Sequence, residues 1–209
     1  MFAMTNGLPE KEKDALIRMR QYQASAIICL EATSGAEEML LAAQRDGYPC
    51  LLLHQTPLSP ELNFVGPDLT RTSYLAACEL AGLGHRRIAL ILGTGPGQHI
   101  AEMRHSGYSE ALSDKGIAYD PQLVRFLGAL TTHSWQPLIS TARAAMSQML
   151  RIQNPPTAVI VPNSPFAVGL LRALQEAGLR VPEDFSIIVL QEDELGTSLN
   201  PAMTTVDID

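Results

Sequence analysis

The segment Gly93-Thr94-Gly95-Pro96-Gly97 follows an apolar run and precedes a helix-like stretch. That is the context in which a glycine-rich loop cradles phosphate. The dinucleotide spacing would place a third glycine at position 98, where Gln98 stands, and Pro96 removes a backbone N–H donor. No Gly-Lys-Ser/Thr follows, which excludes a P-loop, so the segment reads as a tight strand-to-helix turn. There is no Gly-x-Ser-x-Gly nucleophile elbow. The five histidines show no metal-ligand pairing; His99 and His105 are six apart, on different faces of a helix. The three cysteines, Cys29, Cys50 and Cys78, are odd in number and fit no metal spacing. They read as free thiols in a reducing compartment. Glu192-Asp193-Glu194 has no identifiable partner for acid–base work and reads as a solvated loop. Neither catalysis, nor a cofactor, nor a metal site is expected.

Positioning such residues falls to short apolar runs: 26–30, 50–53, 87–92, 158–161 and 186–190. They do not alternate polar with apolar, as is usual for strands covered on both faces of a parallel sheet. Helix-like stretches separate them at 10–22, 35–46, 70–83, 99–115, 136–151 and 164–177. The β-α-β-α order predicts a doubly wound α/β fold. Gly47, Gly116 and Gly178 stand where left-handed helix caps are wanted, and Ser34 and Ser134 are candidate N-caps. Polar residues follow the ends of the buried strands: Thr33, Gln98 (after the glycine loop), Asn163 and Gln191. Open α/β sheets bind ligands at those ends, so four such residues point jointly to a small-molecule cleft.

The chain has 209 residues, enough for a sizeable core, with 46% hydrophobic and 18% charged residues. No apolar run reaches the roughly 18 residues of a membrane span, and residues 1–14 carry no secretory signal. A net charge of −7 argues against nucleic-acid binding through the chain's own general field. The one basic cluster, His85-Arg86-Arg87, reads as a charged strand start. The extended segments FAMTN (2–6) and TTVDID (204–209) lack flanking helices, so the ends read as cut from a longer protein.

Leu83-Gly84-His85-Arg86-Arg87-Ile88-Ala89 resembles the LGHRRIA motif of the lactose-repressor/galactose-repressor (LacI/GalR) transcription regulators. Arg104, Gly107, Tyr108, Ala111 and Leu112 resemble that family's R-x-x-G-[YF]-x-x-A-L helix. Pro156-Thr157-Ala158, Ala167-Val168-Gly169, the stretch Gly178-Leu179-Arg180-Val181-Pro182-Glu183-Asp184 and Pro201 with Thr204-Thr205-Val206 continue the likeness in order.

The resemblance implies an effector-binding core of two Rossmann-like lobes, like a periplasmic binding protein. Residues 1–84 with 199–209 would form an incomplete N-terminal lobe, and 85–198 the C-terminal lobe. A sugar or sugar-like metabolite would bind between them. In the full-length, cytoplasmic protein, a homodimer, binding would control operator DNA through a helix-turn-helix headpiece absent here. Arg104 falls on the family's effector-gripping arginine. Asn163 matches the asparagine of its "ND" pair, with Ser164 in place of the aspartate. Gln191 stands where many members carry a sugar-binding aspartate. Arg71 follows Pro67-Asp68 in a region that can face the cleft, and Trp135 is either the pocket floor or a core ring. Two alternatives stay open: a free-standing solute-binding protein, and a dinucleotide enzyme using the 93–97 loop.

Overall fold

The computed structural model describes residues 2–6, 8–30, 32–93, 99–128, 135–191 and 193–206. The chain divides into two compact units, Met1–Asp68 and Leu69–Asp209.

In the first unit, α1 (Pro9–Gln21), β1 (Ile27–Leu30), α2 (Ser34–Arg45), β2 (Cys50–Leu53) and β3 (Phe64–Val65) form a three-stranded parallel sheet of order β1-β2-β3. Pro9 opens α1 at a position where its missing N–H costs nothing. Leu16 of α1 and Ala36, Leu40 and Ala43 of α2 pack on Ile27, Cys50 and Leu52. Both helices therefore cover the same face. On the other face Ile28 and Leu30 are 64% and 70% exposed, while Leu51 and Leu53 are half-buried. Among the described residues of this unit, the unpatterned run 26–30 is thus covered well on one face only. Residues 2–5 form no strand, contrary to the expectation for FAMTN.

The second unit runs α3 (Leu69–Gly82), β4 (Ile88–Leu92), α4 (His99–Asp114), β5 (Val124–Phe126), α5 (Trp135–Met149), β6 (Ala158–Val161), α6 (Ser164–Glu176), β7 (Ser186–Val189), α7 (Glu194–Ser198) and β8 (Thr204–Thr205). Its parallel sheet has the order β5-β4-β6-β7-β8. One face, including Ile88, Leu90, Leu92 and Ile160, packs on α3 and α4. The other, including Ala89, Ile91, Val159 and Val161, packs on α5 and α6. This is the doubly wound arrangement the buried runs predict. The unit boundary falls at 68/69 rather than 84/85, because Ala76, Ala77 and Leu80 of α3 share a core with β4 and α4. Residues 199–206 also lie in the second unit, where β8 pairs with β7.

The motif 83–89 closes the N-terminal edge of this sheet. His85 joins three strand entries, its Nδ1 hydrogen-bonded to Thr157 Oγ1 (2.8 Å) and its Nε2 to Ser186 Oγ (2.9 Å). The Arg86 guanidinium donates to the Ala81 carbonyl at the end of α3, and Arg87 pairs with Asp120. The basic cluster is thereby used up as a strand start. Burial pushes the His85 imidazole below its ordinary value. A histidine held neutral by the fold contributes stability in full above the unfolded value of about 6.5. That contribution is lost as pH falls below this value and through the lowered folded one. Urea midpoints should therefore fall between neutral and mildly acidic pH, and His85→Gln should flatten that slope. An unchanged slope would place the titration elsewhere.

Candidate functional site

The strand order changes direction at β4. From β4 the chain moves out to β5 on one side, then returns to lay β6 on the other. Helix α4 leaves β4 on one face and α6 leaves β6 on the other, as the two core clusters record. A crevice opens at the C-terminal ends of two such strands, where open α/β sheets hold ligands. Among the described residues, Gly93 after β4, Asn163 after β6 and Gln191 after β7 stand at the C-terminal ends of these strands.

Arg104 stands in the second turn of α4. Its Nε is buried and unpartnered, and the side chain makes no hydrogen bond or ion pair among the described residues. Desolvation, with no carboxylate to offset it, pushes the guanidinium down to about 10. A buried guanidinium nitrogen is ordinarily paired within the fold; the Arg104 Nε has no partner.

Asn163 stands two residues beyond β6 as the N-cap of α6, with extended backbone (φ −157°, ψ 171°). Asparagine is favoured there because its side chain can accept from the first amides, yet no side-chain cap bond forms and Oδ1 is buried without a partner. Ser164 is 0% exposed and its Oγ is also unpartnered. A Cβ built on Gly196 would approach that Oγ to 2.7 Å, so only glycine lets α7 lie against it. Gln191 stands two residues beyond β7, half-buried. Trp135 opens α5 and is 60% exposed, which removes the core alternative for its ring.

The remaining expected residues fall elsewhere. Gln98 lies outside the described residues, as do most of the glycine loop, Ser134 and Glu192. Asp193 accepts a hydrogen bond from the Gly196 N–H (2.7 Å) and caps α7, half-buried rather than solvated, while Glu194 is exposed. Arg71 is exposed in the first turn of α3, its guanidinium 5.2 Å from the Tyr74 ring centroid. Thr33 belongs to the first unit and is itself the N-cap position of α2, displacing Ser34 from that role. Its hydroxyl and N–H both donate to Glu12 Oε2, at 2.6 and 3.0 Å.

That last contact belongs to a buried network the sequence does not announce. Glu37 accepts from Gln55 Nε2 (2.5 Å) and from the Leu58 N–H (2.8 Å), while Gln55 Oε1 accepts from the Ala32 N–H. Glu12 and Glu37 are both buried. The one available signal was helical phase: Glu12 stands four residues before the buried Leu16, on the inner face of α1. Burial, together with Glu12 and Glu37, pushes the Cys29 thiol up to about 11, so it is inert at neutral pH. Among the described residues no group of histidine, cysteine or carboxylate side chains could hold a metal. Likewise no helix among them is long and apolar enough to cross a membrane.

Residues 77–209 match the family model of the periplasmic binding protein-like domain. The chain is 30% identical over 204 residues to the HTH-type transcriptional repressor PurR of Vibrio atlanticus, covering 97% of this chain and 58% of that protein. It is 31% identical over 195 residues to the repressor CytR of Escherichia coli K12, covering 88% and 54%. The chain thus spans little more than half the length of these relatives. In structure it superposes on the transcription regulator CcpA of Lactococcus lactis with a TM-score of 0.79 at 25% identity, covering 97% of this chain and 70% of that one.

Proposed function

This chain belongs to the periplasmic binding protein-like family, in the form that makes the effector-binding core of LacI/GalR transcription regulators, and from that we propose that it binds a small metabolite at the C-terminal ends of β4, β6 and β7. The observation that carries the reading is Arg104: a desolvated guanidinium whose buried Nε has no partner, in the second turn of the helix that follows β4, the strand at which the sheet order reverses. An uncompensated charge is costly in a fold. It is retained where a ligand completes it. Asn163 Oδ1 is the complementary acceptor, open to a ligand hydroxyl or N–H. In the whole regulator, ligand occupancy would shift the balance between conformations of a homodimer and so control operator binding by a separate helix-turn-helix headpiece.

The single tryptophan provides a built-in reporter, since Trp135 is exposed at the start of α5 on the same edge. Titration with a panel of sugars, sugar phosphates, nucleosides and purines should change its fluorescence for at least one compound. Arg104→Met should weaken that compound about 10- to 100-fold, the worth of charge-assisted hydrogen bonds to one group. Asn163→Ala should weaken it about 10-fold. A response that survives both substitutions would place the site elsewhere.

A further inference from the structure

We infer that the first unit holds a ligand site of its own: a wedge between α1 and α2 that takes a small aromatic carboxylate, with the ring between the helices and the carboxylate on Arg20. The wedge lies at the N-terminal end of β1, whose first residue, Ile27, lines it. It is therefore separate from the C-terminal strand ends and does not depend on a ligand there.

The two helices make the wedge. Near their first turns they are held together: Thr33 donates twice to Glu12, and a Cβ built on Gly35 would lie 3.6 Å from Lys13 Cε. One to two turns further on, α2 contributes the short Ala42 and Ala43, which do not fill the space beside α1. A cavity of about 120 Å³ remains. Its floor is core, since Leu16, Ile27, Leu40 and Ala43 are all buried. At its rim Ala42 and Arg20 are exposed, so it opens to solvent there.

Size, shape and charge select the occupant. An apolar cavity of about 150 Å³ takes a benzene ring, so this one, open at its rim, takes a single ring with the substituent outside. The tied first turns close the far end, so a long acyl chain cannot run through. The charged residue of the lining is Arg20. Its Nη2 stands 3.7 Å from Asp46 Oδ2, beyond hydrogen-bond reach, and its Cζ lies 6.0 Å from the Tyr48 ring centroid. Neither contact engages its donors, and its planar fork suits the two oxygens of a carboxylate. Its charge also acts inward: it opposes the effect of burial on the Cys50 thiol, and Cys50 is the strand partner of Ile27 on the floor. A neutral ring would fill the wedge and leave those donors unused. A small acid without a ring would leave the wedge empty.

Methyl NMR of the full chain, titrated with sodium benzoate, benzyl alcohol and sodium acetate, tests this. Benzoate should give saturable shifts at the Ile27, Met39 and Leu40 methyl groups. Benzyl alcohol should bind about three- to tenfold more weakly, the worth of a partly exposed charge contact. Acetate should shift none of these groups. Arg20→Gln should bring benzoate down to the level of benzyl alcohol. Ala42→Leu should fill the mouth and abolish both responses, with the core methyl groups of Leu52 and Leu62 unmoved because position 42 is exposed. If that variant disturbs the core, Arg20→Gln alone decides. Arg104→Met should leave the benzoate response intact.

Absence of a saturable shift at Ile27 and Leu40 would overturn the site. So would a response that survives Ala42→Leu in a folded chain, or one that is lost in Arg104→Met. Equal affinity for benzoate and benzyl alcohol, or a preference that survives Arg20→Gln, would overturn the carboxylate. Shifts of equal size with acetate would overturn the ring.

Discussion

Gly107→Ala is expected to cost the second unit about 2–4 kcal/mol or to prevent it from folding, although alanine is the better helix former. Two effects oppose each other here. Replacing a mid-helix glycine gains roughly 1 kcal/mol in propensity. Against that, a Cβ at Gly107 would overlap the Thr70 carbonyl oxygen and crowd the Tyr74 amide. Those are backbone atoms of α3 and cannot swing aside, so α3 and α4 would have to separate. Separation would expose Ala76, Ala77, Tyr108 and Ala111, which are buried in that core. Sterics therefore win. Gly169→Ala should behave alike, since its Cβ would overlap the Ile139 carbonyl oxygen of α5. Gly82→Ala is the control: nothing lies within 4 Å of its Cβ, so its effect should be neutral or stabilising by up to about 1 kcal/mol. Urea unfolding of the three variants measures the contrast. Equal midpoints would show that the helices tolerate wider spacing than the structure indicates.

Glu37→Ala should cost the first unit about 2–3 kcal/mol, the price of leaving buried donors unsatisfied. Its carboxylate holds the Leu58 N–H and Gln55 Nε2, and Gln55 in turn holds the Ala32 N–H and carbonyl. One buried acceptor thus ties the segment after β1 to the segment after β2. Glu37→Gln keeps one acceptor oxygen and should lose about half as much. Amide hydrogen exchange resolves the effect locally: residues 54–60 should exchange faster in Glu37→Ala, while β6 and β7 stay protected. Unchanged exchange at 54–60 would mean the network forms without Glu37.

The five apolar runs found in the sequence are the five long strands, each within a residue of its expected limits. They were legible because buried parallel strands need continuous apolar side chains. β3 and β5 were not, since two or three residues carry no period and Arg125 interrupts the second. The 84/85 boundary came from the family resemblance, whereas α3 joins the second unit through its row of small residues, Ala76, Ala77 and Ala81, in one core with β4. The family motifs also divided in a way no pattern could show. His85, Gly107, Tyr108 and Gly169 serve the fold: Tyr108 donates to the Ile88 carbonyl at 2.8 Å, and the two glycines set helix spacing. Arg104, from the same helix motif, is left over. Its residue type and position were readable, but its want of a partner is a property of the packed structure alone.

The central claim is that Arg104 and Asn163 mark a ligand-binding edge. Hydrogen–deuterium exchange with and without the tightest compound of the panel tests it most directly. The account predicts slowed exchange in the first turns of α4 and α6, residues 99–105 and 163–168, with the effect absent in Arg104→Met. Slowing confined to the opposite edge of the sheet, residues 83–87 and 154–157, or slowing that persists in Arg104→Met, would contradict it.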